Sequence, residues 1–162
     1  MRRLALTILS ICLLFACLTS AGCGRQGKTW YRVFAAPFEA ELQGEWHDVK
    51  FEACYRSDSE GATLTFYAPT TLAGTALKRG QDGRVTANAG DISFEVTGFN
   101  DLFALFPTAD NTQKATVTPE GHTRLCGDNF FVEFLPGGAP YRVGYGNVTA
   151  TVIRFKSLDE TG

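Results

Sequence analysis

From Phe38 onward, apolar and polar positions alternate along the chain. Phe38, Ala40 and Leu42 are spaced by Glu39, Glu41 and Gln43, and Val49, Phe51, Ala53 and Tyr55 by Lys50, Glu52 and Cys54. Leu64 and Phe66 oppose Thr63 and Thr65, while Ile92, Phe94 and Val96 face away from Ser93, Glu95 and Thr97. A period of two puts successive side chains on opposite faces of a strand. Each segment therefore predicts a strand with one greasy and one wet side, as in an antiparallel sheet covered on one face only. Asp82-Gly83 and Gly90-Asp91 can supply the positive φ angles of tight hairpins. Asp58–Gly61, Pro119–Gly121 and Gly137–Pro140 mark further corners. Val148, Ala150 and Val152 share one parity, but Ile153 and Phe155 have the other, a slip that predicts a β-bulge or a sharp bend. About nine or ten strands are expected.

One segment departs from this rhythm. In "FNDLFALF", Phe99, Leu102, Phe103 and Phe106 recur at helical spacing. Asn100 is placed to cap the helix, Asp101 suits the positive end of its dipole, and Pro107 helps to end it. The predicted fold is mainly β: a curved antiparallel half-barrel sheet with one short helix on its concave face.

The amino end reads differently. Arg2 and Arg3 precede an apolar run, Leu4 to Leu18, of 15 residues. As a helix this is about 22 Å long, short of the roughly 30 Å of hydrocarbon that a span must cross. Residues 1–22 are read as a signal peptide. "SAGC" at Ser20–Cys23 resembles a bacterial lipobox, which implies a lipid on Cys23 and a polar tether over residues 23–29. The alternative is "LFAC" at Leu14–Cys17, with Cys17 as the lipidated residue. An ordinary secretory leader with incidental cysteines is the bland reading. Two acyl chains anchor far more firmly than one.

Of 162 residues, 140 remain once 22 leave, one domain's worth. We place this domain at 30–157, followed by a tail at 158–162. The loss of two arginines leaves 13 basic against 17 acidic side chains, a net charge of −4. That balance argues against nucleic acid as a partner. Cys54 and Cys126 both fall on the more polar parity, which leaves open a cross-strand disulfide or two separate thiols.

Two segments carry a family resemblance: "LTFYAPTTLAGTAL" at Leu64–Leu77, a strand ended by Pro69, and "NFFVEFLPGGAPYRVGYGNVTATVIRF" at Asn129–Phe155, a run of hairpins. In order and spacing, over roughly Trp30–Phe155, the chain resembles the LolA/LppX/LprG-type lipoprotein carriers and, more closely, small clostridial-type lipoproteins related to them. The resemblance implies an unclosed half-barrel, helices over its concave face, and a cavity for acyl chains. The chain departs from the larger carriers in having one evident helix.

Catalytic chemistry is harder to assemble. His47 and His122 each lie beside a strand end or turn, and neither spacing to Cys54 or Cys126 matches a zinc pattern. There is no Gly-x-Ser-x-Gly elbow and no phosphate loop, and Glu39, Glu41, Glu52 and Glu95 read as a solvated sheet face. No enzyme, cofactor or metal is expected. What stands out is thirteen phenylalanines. Phe38, Phe51, Phe66, Phe94, Phe130 and Phe134 share the parity assigned to the concave face. With Phe99, Leu102, Phe103 and Phe106 of the helix they form the expected site for a lipid or other hydrophobic ligand. The expectation is a membrane-anchored extracytoplasmic lipoprotein. Two competing readings are an envelope adaptor with a fully packed core and, less favoured, a surface hydrolase.

Overall fold

A computed structural model describes residues 30–108 and 112–158. The leader, the tether, Cys17, Cys23 and the last four residues lie outside the described residues. The chain divides into two compact units, Met1–Trp30 and Tyr31–Gly162, and the sheet belongs to the second. After a 3-10 turn, Trp30–Phe34, come β1 (Phe38–Trp46), β2 (Val49–Asp58), β3 (Gly61–Ala68), β4 (Ala76–Gly80), β5 (Val85–Ala89) and β6 (Ile92–Val96). A short helix, α1 (Asn100–Phe103), leads to β7 (Lys114–Val117), β8 (Thr123–Cys126), β9 (Phe130–Phe134), β10 (Pro140–Tyr145) and β11 (Val148–Ser157). The strands form one open antiparallel sheet in the order β6-β5-β4-β3-β2-β1-β11-β10-β9-β8-β7.

Eleven strands exceed the nine or ten expected. β7 and β8 have four residues each, too few for alternation to announce them. The turns behave as their residues dictate. Gly83, Gly90, Gly121 and Gly138 all take positive φ at the predicted corners. The tight turn between β1 and β2 has no glycine, and His47 and Asp48 adopt positive φ themselves. The parity slip near the C-terminus is a bulge: Glu41 pairs with Arg154 but Leu42 with Val152, which leaves Ile153 as the extra residue.

The register carries the alternation across the sheet. One row on the inner face runs Phe94, Ala87, Leu77, Leu64, Tyr55, Ala40 and Phe155, strand by strand from β6 to β11. Another runs Phe51, Gly44, Ala150, Val143, Val132 and Leu125. Their central members are the buried core. Gly44 is a packing requirement. A Cβ there would stand 2.5 Å from the Thr149 carbonyl oxygen, 2.7 Å from the Phe51 ring and 2.9 Å from the Ala150 methyl. The inner face has a notch at β1 into which Phe51 folds.

Replacing Gly44 by Ala pushes β1 off β11 and Phe51 out of that notch. We expect Gly44→Ala to cost about 1–3 kcal/mol, read as a lower urea midpoint at unchanged slope.

Candidate functional site

The cover of the inner face is small. α1 begins after Phe99, whose φ of −101° and ψ of 7° make it the residue at the N-cap, with no side-chain cap bond. Asn100, expected as the cap, is instead the first helical residue. Its amide therefore cannot serve the first turn from outside. The helix ends at Phe103 rather than continuing to Phe106. Because the chain leaves the helix there, Leu105 turns inward together with Phe106, and both are buried, as are Leu102 and Phe103. Helical spacing had singled out Phe106 and missed Leu105.

This segment runs along β1 in the opposite direction. Phe99 meets Trp46 at the far end of β1, with ring centroids 5.0 Å apart. Phe103 meets Tyr55 at 6.2 Å, and Phe106 packs on Tyr55 at 4.8 Å and on Phe38 at 5.0 Å. The 3-10 turn adds Phe34, 5.2 Å from Phe106, 5.7 Å from Phe38 and 6.2 Å from Phe134. Phe155 closes the group at 5.1 Å from Phe38. Side chains thus fill the space under the cover. Phe34, Tyr55 and Phe155 were absent from the expected site: no alternation surrounds Phe34, and Phe155 lies beyond the bulge. A polar contact also fastens the cover, the Tyr55 hydroxyl donating to the Phe103 carbonyl at 3.3 Å.

Of the predicted site residues, Phe38, Phe51, Phe66, Leu102, Phe103, Phe106, Phe130 and Phe134 are buried. Phe51 and Phe66 meet edge to face at 6.0 Å. Phe99 is half-buried against Trp46. Phe94 corrects the expectation. It lies on the inner face, opposite Ala87, yet is 52% exposed, as is its neighbour Ile92 at 67%. β6 lies five strands from β1, roughly 24 Å away at about 4.8 Å per strand, and a helix about 10 Å wide over β1 and β2 does not reach it. Val117, near the other edge, is 73% exposed for the same reason.

The outer face is polar and largely paired. Arg154 contacts both Glu41 and Glu39, and the Gln43 amide donates to Glu52 at 3.2 Å. A depression of about 390 Å³ opens there, lined in part by Gln43, Lys50, Glu52, Arg142 and Thr151. Sequence reading missed Glu133, a buried carboxylate on this side held by Arg124 at 3.1 Å. Arg124 also lies 4.2 Å from the Phe131 ring, which rests on Gly144. Cys54 and Cys126 are free thiols. Five strand steps separate β2 from β8, so they are not cross-strand neighbours. Burial pushes the Cys54 thiol up from its ordinary value, with Glu39 adding to the effect. His47 sits in the β1–β2 turn and His122 beside Tyr141 before β8, far apart in the strand order. No group of three or more His, Cys, Asp or Glu among the described residues is placed to hold a metal ion. No helix among them is long and apolar enough to cross a membrane.

No family model and no curated protein sequence matches the chain. Solved structures do. An uncharacterised conserved protein from Thermus thermophilus is similar over 80% of this chain and 83% of its own, with 16% identity and a TM-score of 0.44. A LolA superfamily protein from Nitrosomonas europaea is similar over 76% and 87%, with 11% identity and a TM-score of 0.39. A DUF1329 family protein from Desulfovibrio piger is similar over 82% and 90%, with 9% identity and a TM-score of 0.40. These likenesses concern the fold alone.

Burial drives the Tyr55 hydroxyl far above its ordinary pKa of 10.0. A phenol that stays protonated in the fold but ionises when unfolded lends stability that is present below about pH 10 and falls as pH rises beyond it. Tyr55→Phe also removes the bond to Phe103. We expect it to lower stability by roughly 1 kcal/mol at neutral pH and to flatten the decline above pH 10, both measurable by urea titration across pH.

Proposed function

We propose that the chain is a lipid-anchored, non-catalytic extracytoplasmic protein that shields a hydrophobic ligand against the inner face of its sheet. One observation carries the reading. Among the described residues, an apolar face eleven strands wide is covered at its middle, by the 3-10 turn and the segment 99–106, and Ile92, Phe94 and Val117 continue it past that cover. A second sheet would bury the whole face permanently. A cover fastened largely by aromatic rings can swing aside and close again over an acyl chain, as a half-barrel with a lid requires. The bound chain would replace ring contacts around Phe103 and Phe106 and extend toward Phe94. Cys23 would tether the domain to a bilayer.

The filled space beneath the cover favours a second reading, an envelope adaptor whose aromatic core is permanently packed. Lipid occupancy decides between them. Native mass spectrometry of the full chain, expressed with its leader in a bacterial envelope, should show a co-purified lipid beyond the covalent anchor. Tyr55→Phe should exchange that lipid for an added fluorescent fatty acid several-fold faster. An empty protein that takes up no fatty acid supports the adaptor.

Anchoring is a separate matter. Cys23→Ser should release the protein from membranes and abolish incorporation of labelled palmitate. Labelling that survives Cys23→Ser and disappears with Cys17→Ser assigns the anchor to Cys17.

A further inference from the structure

Two depressions on the outer face meet at one side chain. Arg142 lines the cavity that holds Gln43, Lys50 and Glu52, and also a second one, of about 390 Å³, beside β8. Together they cross the sheet from β8 to β2. The second holds the denser chemistry. Glu133 lines it at 6% exposure, and Arg124 donates to one oxygen of its carboxylate. A carboxylate accepts at both oxygens, and the other has no donor among the described residues. Arg142 stands directly opposite Glu133 in the register, yet is exposed and makes no ion pair among the described residues. Between Pro140, paired with Phe134, and Arg142, paired with Glu133, Tyr141 is the extra residue of a bulge. Bulges re-aim side chains, often beside sites. The Tyr141 ring lines this cavity at 37% exposure, with the His122 ring braced against it at 4.8 Å.

We propose that this groove binds an uncharged oligosaccharide. It lies on the face opposite the cover, so the proposal is independent of the ligand reading above. Charge decides first. Arg124 and Arg142 stand against Glu120 and Glu133 in one cavity, and Lys50 and Arg142 against Glu45 and Glu52 in the other. Carboxylates in each would oppose an anion, and the basic groups would oppose a cation. An apolar molecule would cover the Glu133 carboxylate without bringing it a donor. A hydroxyl both donates and accepts. Neighbouring hydroxyls of one sugar ring can therefore donate to Glu133 and accept from Arg142, while the C–H face of the ring packs on Tyr141. An extended peptide adds to a sheet at a free strand edge, and every strand from β8 to β2 is interior. A groove that crosses strands in this way accommodates several sugar rings in line.

The test is isothermal titration of the full chain with cellotetraose, maltotetraose and tetra-N-acetylchitotetraose. Tetragalacturonate, deacetylated chitotetraose and an uncharged Asn-Ser-Asn-Ser peptide serve as comparisons. At least one neutral tetrasaccharide should bind, more tightly than its own monosaccharide, either charged sugar or the peptide. Tyr141→Ala and Arg142→Met should each weaken it about ten-fold. Both side chains are exposed, so the urea midpoint should not move. The selectivity of the wild type needs no variant, and it decides the matter even if one folds poorly. Tighter binding of a charged sugar or the peptide, no binding of any neutral sugar, or unchanged affinity in both variants overturns the proposal. Lipid occupancy under the cover is read separately, so the ligand reading stands or falls on its own.

Discussion

A sheet with one apolar side cannot stand alone in water, and here the solution is a knot of rings over β1. Phe38 lies within 5.0–5.7 Å of Phe34, Tyr55, Phe106 and Phe155. Those residues come from the 3-10 turn, β2, the segment after α1, and β11, so four distant parts of the chain converge on one side chain. Aromatic pairs at these separations add roughly 0.5–1.5 kcal/mol each beyond the area they bury. The position of the cover follows from this knot. A helix of four residues has almost no stability of its own, and α1 exists because Phe103 and its successors have a place to pack.

The two faces obey different rules. Inside, position is set by volume: Gly44 is small so that Phe51 can be large. Outside, position is set by charge. Arg154 bridges Glu39 and Glu41, and Arg124 divides itself between the Glu133 carboxylate and the Phe131 ring. The exposed Arg154 pairs contribute little stability. They keep the wet side wet, so that burial happens on one side only.

Much of this was legible in the residues. Strict alternation in 38–42 and 49–55 identified both the strands and the side they would bury, and the slip at Ile153 announced the bulge. The inner face was therefore readable, but its coverage was not. Parity says which way Phe94 points, and only the reach of the helix says whether anything meets it. Phe34 and Leu105 escaped notice because each sits where periodicity has stopped, in a 3-10 turn and after a helix end. The His47-Asp48 turn escaped because positive φ is normally signalled by glycine or asparagine.

The strand order has an effect on how such a sheet is made. The two central neighbours, β1 and β11, come from opposite ends of the domain, and the Glu41–Arg154 pair across them is 113 residues apart in sequence. Every other adjacent pair is a hairpin that can zip locally. The left wing, β1 to β6, and the right wing, β7 to β11, can each form in isolation, but the seam that joins them waits for the 10 residues of the final strand. Long-range pairing of this sort is the slow step of β proteins. A chain shortened by that strand would lose the keel of the sheet rather than its rim, and two half-built leaves would be left with their oily sides open.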